Sequence, residues 1–168
     1  HRAKALFWRL LEHRVLFAAR NVLFTTLDEQ ALAEHAFKPF PKTGVVVGYG
    51  TADAPPPAPS TLVLPPRYLL FLSRLHRKKG CDDLLCAFAE AAKAEPDLHL
   101  VMAGPDETGW RADLEALCAK LDIADRVVWT GMISGADKWA AYRGAEAFVL
   151  ATHSENFGVV IAEAMACG

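Results

Sequence analysis

The stretch that decides the fold is Ala147-Phe148-Val149-Leu150-Ala151-Thr152-His153-Ser154-Glu155-Asn156-Phe157-Gly158-Val159-Val160-Ile161-Ala162-Glu163-Ala164-Met165-Ala166-Cys167. Residues 147–152 read as a buried strand, 153–156 as a polar turn, and 157–167 as a helix with Gly158 at its mouth. Glu155 falls where the strand ends. Glu163 falls among Val159, Ile161, Ala162, Ala164 and Met165, where a charge is costly unless something hydrogen-bonds it. A small residue at a helix mouth exposes backbone N–H groups, and the helix dipole there favours an anion. The pattern therefore suits a pocket for a polyhydroxylated, anionic molecule. The competing reading is a solvated Glu on an Ala-rich helix, with Ser154 or Asn156 as its cap.

Working backwards from this stretch, strand and helix alternate. Tyr68-Leu69-Leu70-Phe71-Leu72 suits a strand covered on both faces, and 81–94 a helix with Cys81, Leu84, Leu85, Phe88, Ala91 and Ala92 on one side. A second strand at 98–102 precedes the turn-rich loop 104–109, and a helix at 110–121 carries the stripe Leu114, Leu117, Cys118, Leu121. A third strand at 127–130, ending at Gly131, and a short helix at 136–143 lead to 147–152. This alternation predicts an α/β, doubly wound parallel sheet with right-handed crossovers. In the common order 3-2-1-4-5-6 the first and fourth strands are neighbours, and ligands bind where their carboxyl ends diverge. That order sets the cationic loop Ser73-Arg74-Leu75-His76-Arg77-Lys78-Lys79-Gly80 against Glu155 and the helix mouth, a place for a diphosphate. A solvated charge run is the alternative for Arg77-Lys78-Lys79.

The first part of the chain is less regular. Residues 3–19 place Leu6, Phe7, Leu10, Leu11 and Val15 at near-helical spacing, with Arg2, Lys4, Arg9, Arg14 and Arg20 outweighing Glu12. A basic amphipathic helix of this kind either lies on an anionic membrane surface or packs on a neighbouring domain. A strand at 21–26, a helix at 29–37 and a strand at 45–47 follow. Gly48-Tyr49-Gly50 is not a dinucleotide loop, because prolines and no helix come after it. Residues 51–66 hold prolines at 55, 56, 57, 59, 65 and 66, which predicts a semi-rigid linker and the clearest domain boundary.

Composition narrows the classes. The apolar fraction of 52% suits a packed core, and a net charge of −2 leaves no nucleic-acid footprint. No apolar run approaches the ~20 residues of a membrane span. Cys81, Cys86, Cys118 and Cys167 lack metal-ligand or CxxC spacing and read as reduced packing residues, as in a cytoplasmic protein. A chain that starts without Met and stops inside a helical pattern reads as a fragment. Its fourth strand would then be a bare, aggregation-prone edge.

Glu155 and Glu163, with Asn156-Phe157-Gly158 after the first, resemble the Glu-x7-Glu donor-site motif of the retaining GT-B glycosyltransferases of family 4 (glycosyl transferases group 1). The loop after the first strand adds a second likeness, since the family carries Arg-Leu and then Lys-Gly there. The resemblance runs from about Tyr68 to Gly168, more loosely back to 45–47. It implies a nucleotide-sugar (donor) binding domain at 67–168, truncated, preceded by the linker 51–66 and, at 1–50, the C-terminal tail of the acceptor domain. It implies transfer of a sugar from a nucleoside diphosphate sugar to an acceptor hydroxyl with retention, without metal or other cofactor. Arg74 and Lys79 would grip the diphosphate, with Lys78 as an outside candidate. Glu155 would hold the sugar and Glu163 the ribose, with Asn156, Phe157 and Gly158 between them in the donor site. Gly104 would let the nucleotide approach, and Thr130, Gly131, Met132 and Ile133 would meet the base. The family's usual catalytic-site His would precede residue 1, and His153 reads as a turn histidine instead. The acceptor would be a glycan, a lipid-linked sugar or a small molecule, at the inner face of the membrane if residues 3–19 touch it. A nucleotide-sugar epimerase, a phosphorylase-like enzyme and a non-catalytic nucleotide-binding module are the alternatives.

Overall fold

The computed structural model describes residues 6–40, 44–48, 50–51, 53–155 and 157–168. The chain divides into two compact units, His1–Gly50 and Thr51–Gly168. In the first, a π-helical turn at Trp8–Glu12 runs into α1 (His13–Ala18), followed by β1 (Val22–Phe24), α2 (Leu27–Ala36) and β2 (Gly44–Val46). Strands β1 and β2 pair in parallel, Val22 opposite Gly44. The first strand is shorter than 21–26 because both threonines are spent on the next helix. Thr26 accepts the Glu29 N–H at 3.0 Å, while the Glu29 carboxylate accepts the Thr25 N–H and hydroxyl at 2.8 and 2.7 Å. That cap starts α2 at Leu27, two residues before the expected Glu29. Trp8 is buried, its ring 4.4 Å from that of Phe37.

The second unit contains β3 (Tyr68–Leu72), α3 (Cys81–Ala94), β4 (His99–Ala103), α4 (Arg111–Lys120), β5 (Val127–Gly131), α5 (Gly135–Gly144), β6 (Ala147–Phe148) and α6 (Val159–Met165). The four strands are parallel in the order β5-β4-β3-β6, the arrangement predicted from the alternation. Side chains divide by a period of two. Leu69 and Phe71 of β3 and Leu100 and Met102 of β4 enter a core with Leu85, Phe88, Leu114 and Cys118 of α3 and α4. Tyr68 and Leu70, with Val101 and Ala103, face Ala141 and Tyr142 of α5 and Ala164 of α6. A sheet covered on both faces explains why its strands are unbroken apolar runs. On α3 the buried set includes Ala89 where Ala91 was expected.

The fourth strand differs most from expectation. It pairs only at Ala147 and Phe148, opposite Leu69 and Leu70. Val149 still donates to the Leu70 carbonyl, at 2.8 Å, but the chain beyond it leaves the sheet for the loop after β3. The last helix is likewise shorter than 157–167, starting after Gly158 in a left-handed conformation.

The Pro-rich segment is no free spacer. It lacks helix and strand, yet Leu62 and Leu64 pack beneath the sheet. Asp137 of α5 accepts the Ser60 hydroxyl at 2.7 Å and the Thr61 N–H at 3.1 Å, and Arg143 donates to the Pro55 carbonyl. These bonds, led by the Ser60 hydroxyl, hold the Asp137 carboxyl below its ordinary value of 3.8. A group with a depressed folded value stabilises above its unfolded pKa and loses that contribution as pH falls through the folded one. Limited proteolysis between Thr51 and Pro66 should therefore quicken in Asp137→Ala at neutral pH, whereas in the wild type it should quicken only on acidification below the ordinary Asp range. Equal cleavage rates in variant and wild type would show that the clamp does not hold the segment.

Candidate active site at the carboxyl ends of β3 and β6

The chain turns from β3 to β4 and β5 on one side of the sheet, then returns to place β6 on the other. The loops after β3 and β6 thus diverge at the switch point, where an open α/β sheet leaves a crevice. Backbone bonds fix the loop after β3 to both neighbours. Ser73 and Leu75 donate to the carbonyls of Ala103 and Pro105, each at 3.0 Å. The carbonyl of Lys78 accepts the His153 N–H at 2.9 Å and the Thr152 hydroxyl at 3.0 Å. Two glycines permit these approaches. A Cβ on Gly104 would lie 1.9 Å from the Ser73 oxygen, and one on Gly80, at φ +60°, 2.0 Å from the Ala151 oxygen. Gly104 thus has a packing reason of its own.

Between the loops lies a cleft of about 380 Å³ lined by Arg74, His76, Lys78, Lys79, Ser154 and Glu155. Lys79 reaches Glu155 at 2.5 Å, with 15% and 26% of their side chains exposed. Arg74 is mostly exposed and touches Glu107 at 3.3 Å, an ion pair that water and salt screen heavily. Among the described residues no carboxylate forms an ion pair with Lys78. His76 accepts the Lys78 N–H at 3.1 Å and so caps the short 3-10 turn Arg77–Lys79. Three cations against one lining carboxylate suit an anionic ligand with several oxygens. Arg77 turns away and stacks over Trp110, 4.9 Å from the ring centre. His153 lies 3.3 Å from Asp83 and does not line the cleft.

Glu163 is placed apart from that lining. Its side chain is only 13% exposed, and Lys138 of α5 contacts it at 2.7 Å. The Tyr142 hydroxyl lies 3.2 Å from the other carboxylate oxygen and 3.2 Å from the Val160 carbonyl. Burial first, then the Glu163 charge, raises the Tyr142 pKa far above its ordinary value. The partner that a charge among apolar residues requires is therefore Lys138 with Tyr142. Neither was singled out from sequence, although both lie on one helix face at i, i+4. Ser154 and His76 were also missed as lining residues. Ser154 makes no cap bond to α6, and among the described residues that helix, which starts after Gly158, has no side-chain cap.

The loop after β5 joins its neighbour through the Gly104 N–H, which donates to the Gly131 carbonyl at 2.8 Å. Thr130 donates to the Gly131 carbonyl, Met132 is exposed and Ile133 packs under the sheet. None of the four lines the cleft, nor do Phe157 and Gly158. Asn156 lies outside the described residues. Among the described residues no cluster of His, Cys, Asp or Glu could hold a metal ion, and no helix is long and apolar enough to cross a membrane.

A doubly wound parallel sheet with a cationic cleft at its switch point defines the open α/β class of domains. Within that class, the family model for glycosyl transferases group 1 matches residues 57–168, and the chain belongs to this family. The alpha-monoglucosyldiacylglycerol synthase of Streptococcus pneumoniae is 36% identical over 100 residues, covering 60% of this chain and 22% of the synthase. The sucrose-phosphate synthase of Thermosynechococcus elongatus superposes with a TM-score of 0.75 at 26% identity, over 94% of this chain and 41% of that one. Anabaena HepE, solved with UDP and glucose, has the same GT-B fold, with a TM-score of 0.77 at 20% identity over 95% of this chain and 46% of HepE. The chain thus spans less than half the length of each of these proteins.

Gly80→Ala should destabilise the second unit by roughly 2 kcal/mol or more, since it combines a strained φ with a backbone clash. Thermal melting checks this, and an unchanged midpoint would mean that the two loops are not held in contact at Gly80.

Proposed function

We propose that residues 67–168 bind the nucleoside diphosphate sugar of a retaining glycosyltransferase, with 51–66 leading into that domain and 1–50 as the tail of an acceptor domain. The observation that carries this reading is the convergence of Arg74, Lys79 and Glu155 on one cleft at the switch point. Relatives solved with UDP support a uridine nucleotide as the donor's leaving group.

In the reaction, the bond between the sugar's anomeric carbon and the diphosphate oxygen breaks, the acceptor hydroxyl oxygen bonds that carbon on the same face, and the hydroxyl proton passes to the departing diphosphate. Negative charge grows on the departing diphosphate. Arg74 and Lys79 stabilise it through their positive charge at the cleft, which is electrostatic catalysis. Lys79 exchanges its contact with Glu155 for phosphate oxygens, and Glu155 becomes free to accept sugar hydroxyls. Glu163 holds the ribose. The family resemblance gives Gly104 and the loop 130–133 to the base, and Asn156, Phe157 and Gly158 to the sugar end. The acceptor is a glycan, a lipid-linked sugar or a small molecule. A contact of residues 3–19 with anionic lipid would set the enzyme at the inner face of the membrane. Exposed Leu10, Leu11 and Val15 beside Arg14 support that placement.

Titration calorimetry with UDP tests the cleft. Arg74→Ala and Lys79→Ala should each weaken binding at least about tenfold, or ~1.4 kcal/mol. Unaltered affinity in both would remove the diphosphate from this cleft. The carboxylates should separate by ligand. Glu163→Gln is expected to weaken UDP but spare inorganic pyrophosphate, while Glu155→Gln spares bare UDP and lowers sugar transfer in an enzyme with both domains. Identical profiles for the two variants would contradict the division of roles.

A further inference from the structure

The carboxylate of Glu163 is contacted by two side chains of α5. Lys138 Nζ lies 2.7 Å from Oε1 and the Tyr142 hydroxyl 3.2 Å from Oε2. An ionised carboxylate offers about four acceptor positions. Lys138 takes one on Oε1, and the Tyr142 hydroxyl, shared with the Val160 carbonyl at 3.2 Å, takes one on Oε2, so that each oxygen keeps a further acceptor position. That is the acceptor pattern that a vicinal diol, with two neighbouring O–H donors, matches.

Both gripping groups are themselves fixed. The Lys138 ammonium lies 4.7 Å from the centre of the Trp139 ring, which holds a cation without neutralising it. Tyr142 is buried between the rings of Trp139 and Phe148, at 5.9 and 5.7 Å. Its aromatic ring has no freedom to carry the hydroxyl away from the carboxylate. The Lys138 side chain is 22% exposed, so a charged contact there is shielded from water better than any ion pair of Arg67, Arg74 or Lys93.

We propose that Lys138 and Tyr142 are positioning residues that set the Glu163 carboxylate for the ribose diol and thereby give the site its preference for ribonucleotides. The inference rests on the reading of Glu163 as the ribose-holding group. Lys138 turns the carboxylate from one oxygen, Tyr142 steadies it from the other, and the diol takes the two remaining positions.

Calorimetric titration of the chain with UDP, 2′-deoxy-UDP and inorganic pyrophosphate separates the possibilities. The wild type should favour UDP over 2′-deoxy-UDP by about tenfold, the scale of one hydrogen bond to a charged group. Lys138→Met and Tyr142→Phe should each bring that ratio close to one while leaving pyrophosphate binding unchanged. Lys138→Arg should restore most of the preference. If both variants melt earlier yet keep the wild-type ratio, the contacts only join α5 to α6, and the proposal is overturned while the role of Glu163 stands. A wild type that does not distinguish UDP from 2′-deoxy-UDP would overturn the reading of Glu163 itself, and the proposal with it. Should Lys138→Met fail to fold, Tyr142→Phe, which removes a single hydroxyl, decides alone.

Discussion

The carbonyl oxygen of Lys78 is the point on which the site depends. It accepts two donors from the segment after β6, the N–H of His153 and the hydroxyl of Thr152. Without those bonds the strand ends of β3 and β6 would diverge with nothing to set the distance between their loops. With them, Lys79 and Glu155, one residue beyond each anchor or close to it, are brought into contact. The same bonds explain why β6 leaves the ladder after Phe148. Its next residues gain partners in the loop of β3 that a longer strand would forfeit.

The charges in the second unit are of two kinds. Arg67 and Arg111 make ion pairs at the surface, with partners themselves about half exposed, and such pairs contribute little. Lys79–Glu155 and Lys138–Glu163 are much less exposed and join separate elements. Burying a pair costs desolvation, which mutual attraction offsets only with good geometry and further hydrogen bonds. For Glu163 those bonds come from Tyr142. Lys79–Glu155 instead borders an open cleft, so an entering anion can compete for the lysine.

Much of the fold was legible because a sheet buried on both faces leaves a coarse signal. Residues 68–72, 98–102 and 127–130 are short apolar runs between amphipathic helices, and their neighbour order follows from handedness and strand alternation. What was not legible depended on competition among hydrogen bonds. The run 147–152 has the composition of a full strand, yet its second half bonds to a loop. Thr25 and Thr26 have high β propensity but cap a helix. In the candidate site, Glu155 and the Arg74–Lys79 loop stood out by charge and position. Lys138 and Tyr142 did not, because on their own helix they look like a surface lysine and a core tyrosine. Only the packing of α5 against α6 gives them a common partner.

That packing also explains why the two carboxylates, eight residues apart, end in different surroundings. Glu155 precedes the left-handed Gly158 and stays in the turn, at the mouth of the cleft. Glu163 follows it by more than one helical turn, which rotates its side chain toward α5 and under the sheet's edge, among Tyr142 and the residues around Phe148. One carboxylate is therefore poised to exchange partners and the other is held fixed by two. A ligand spanning both would meet an adaptable contact at one end and a rigid one at the other. Rigid contacts discriminate shape, since misplaced donors leave a buried charge poorly paired, whereas adaptable ones follow a group that moves during reaction. The division of roles proposed for the two carboxylates thus rests on where a single left-handed glycine places the start of α6.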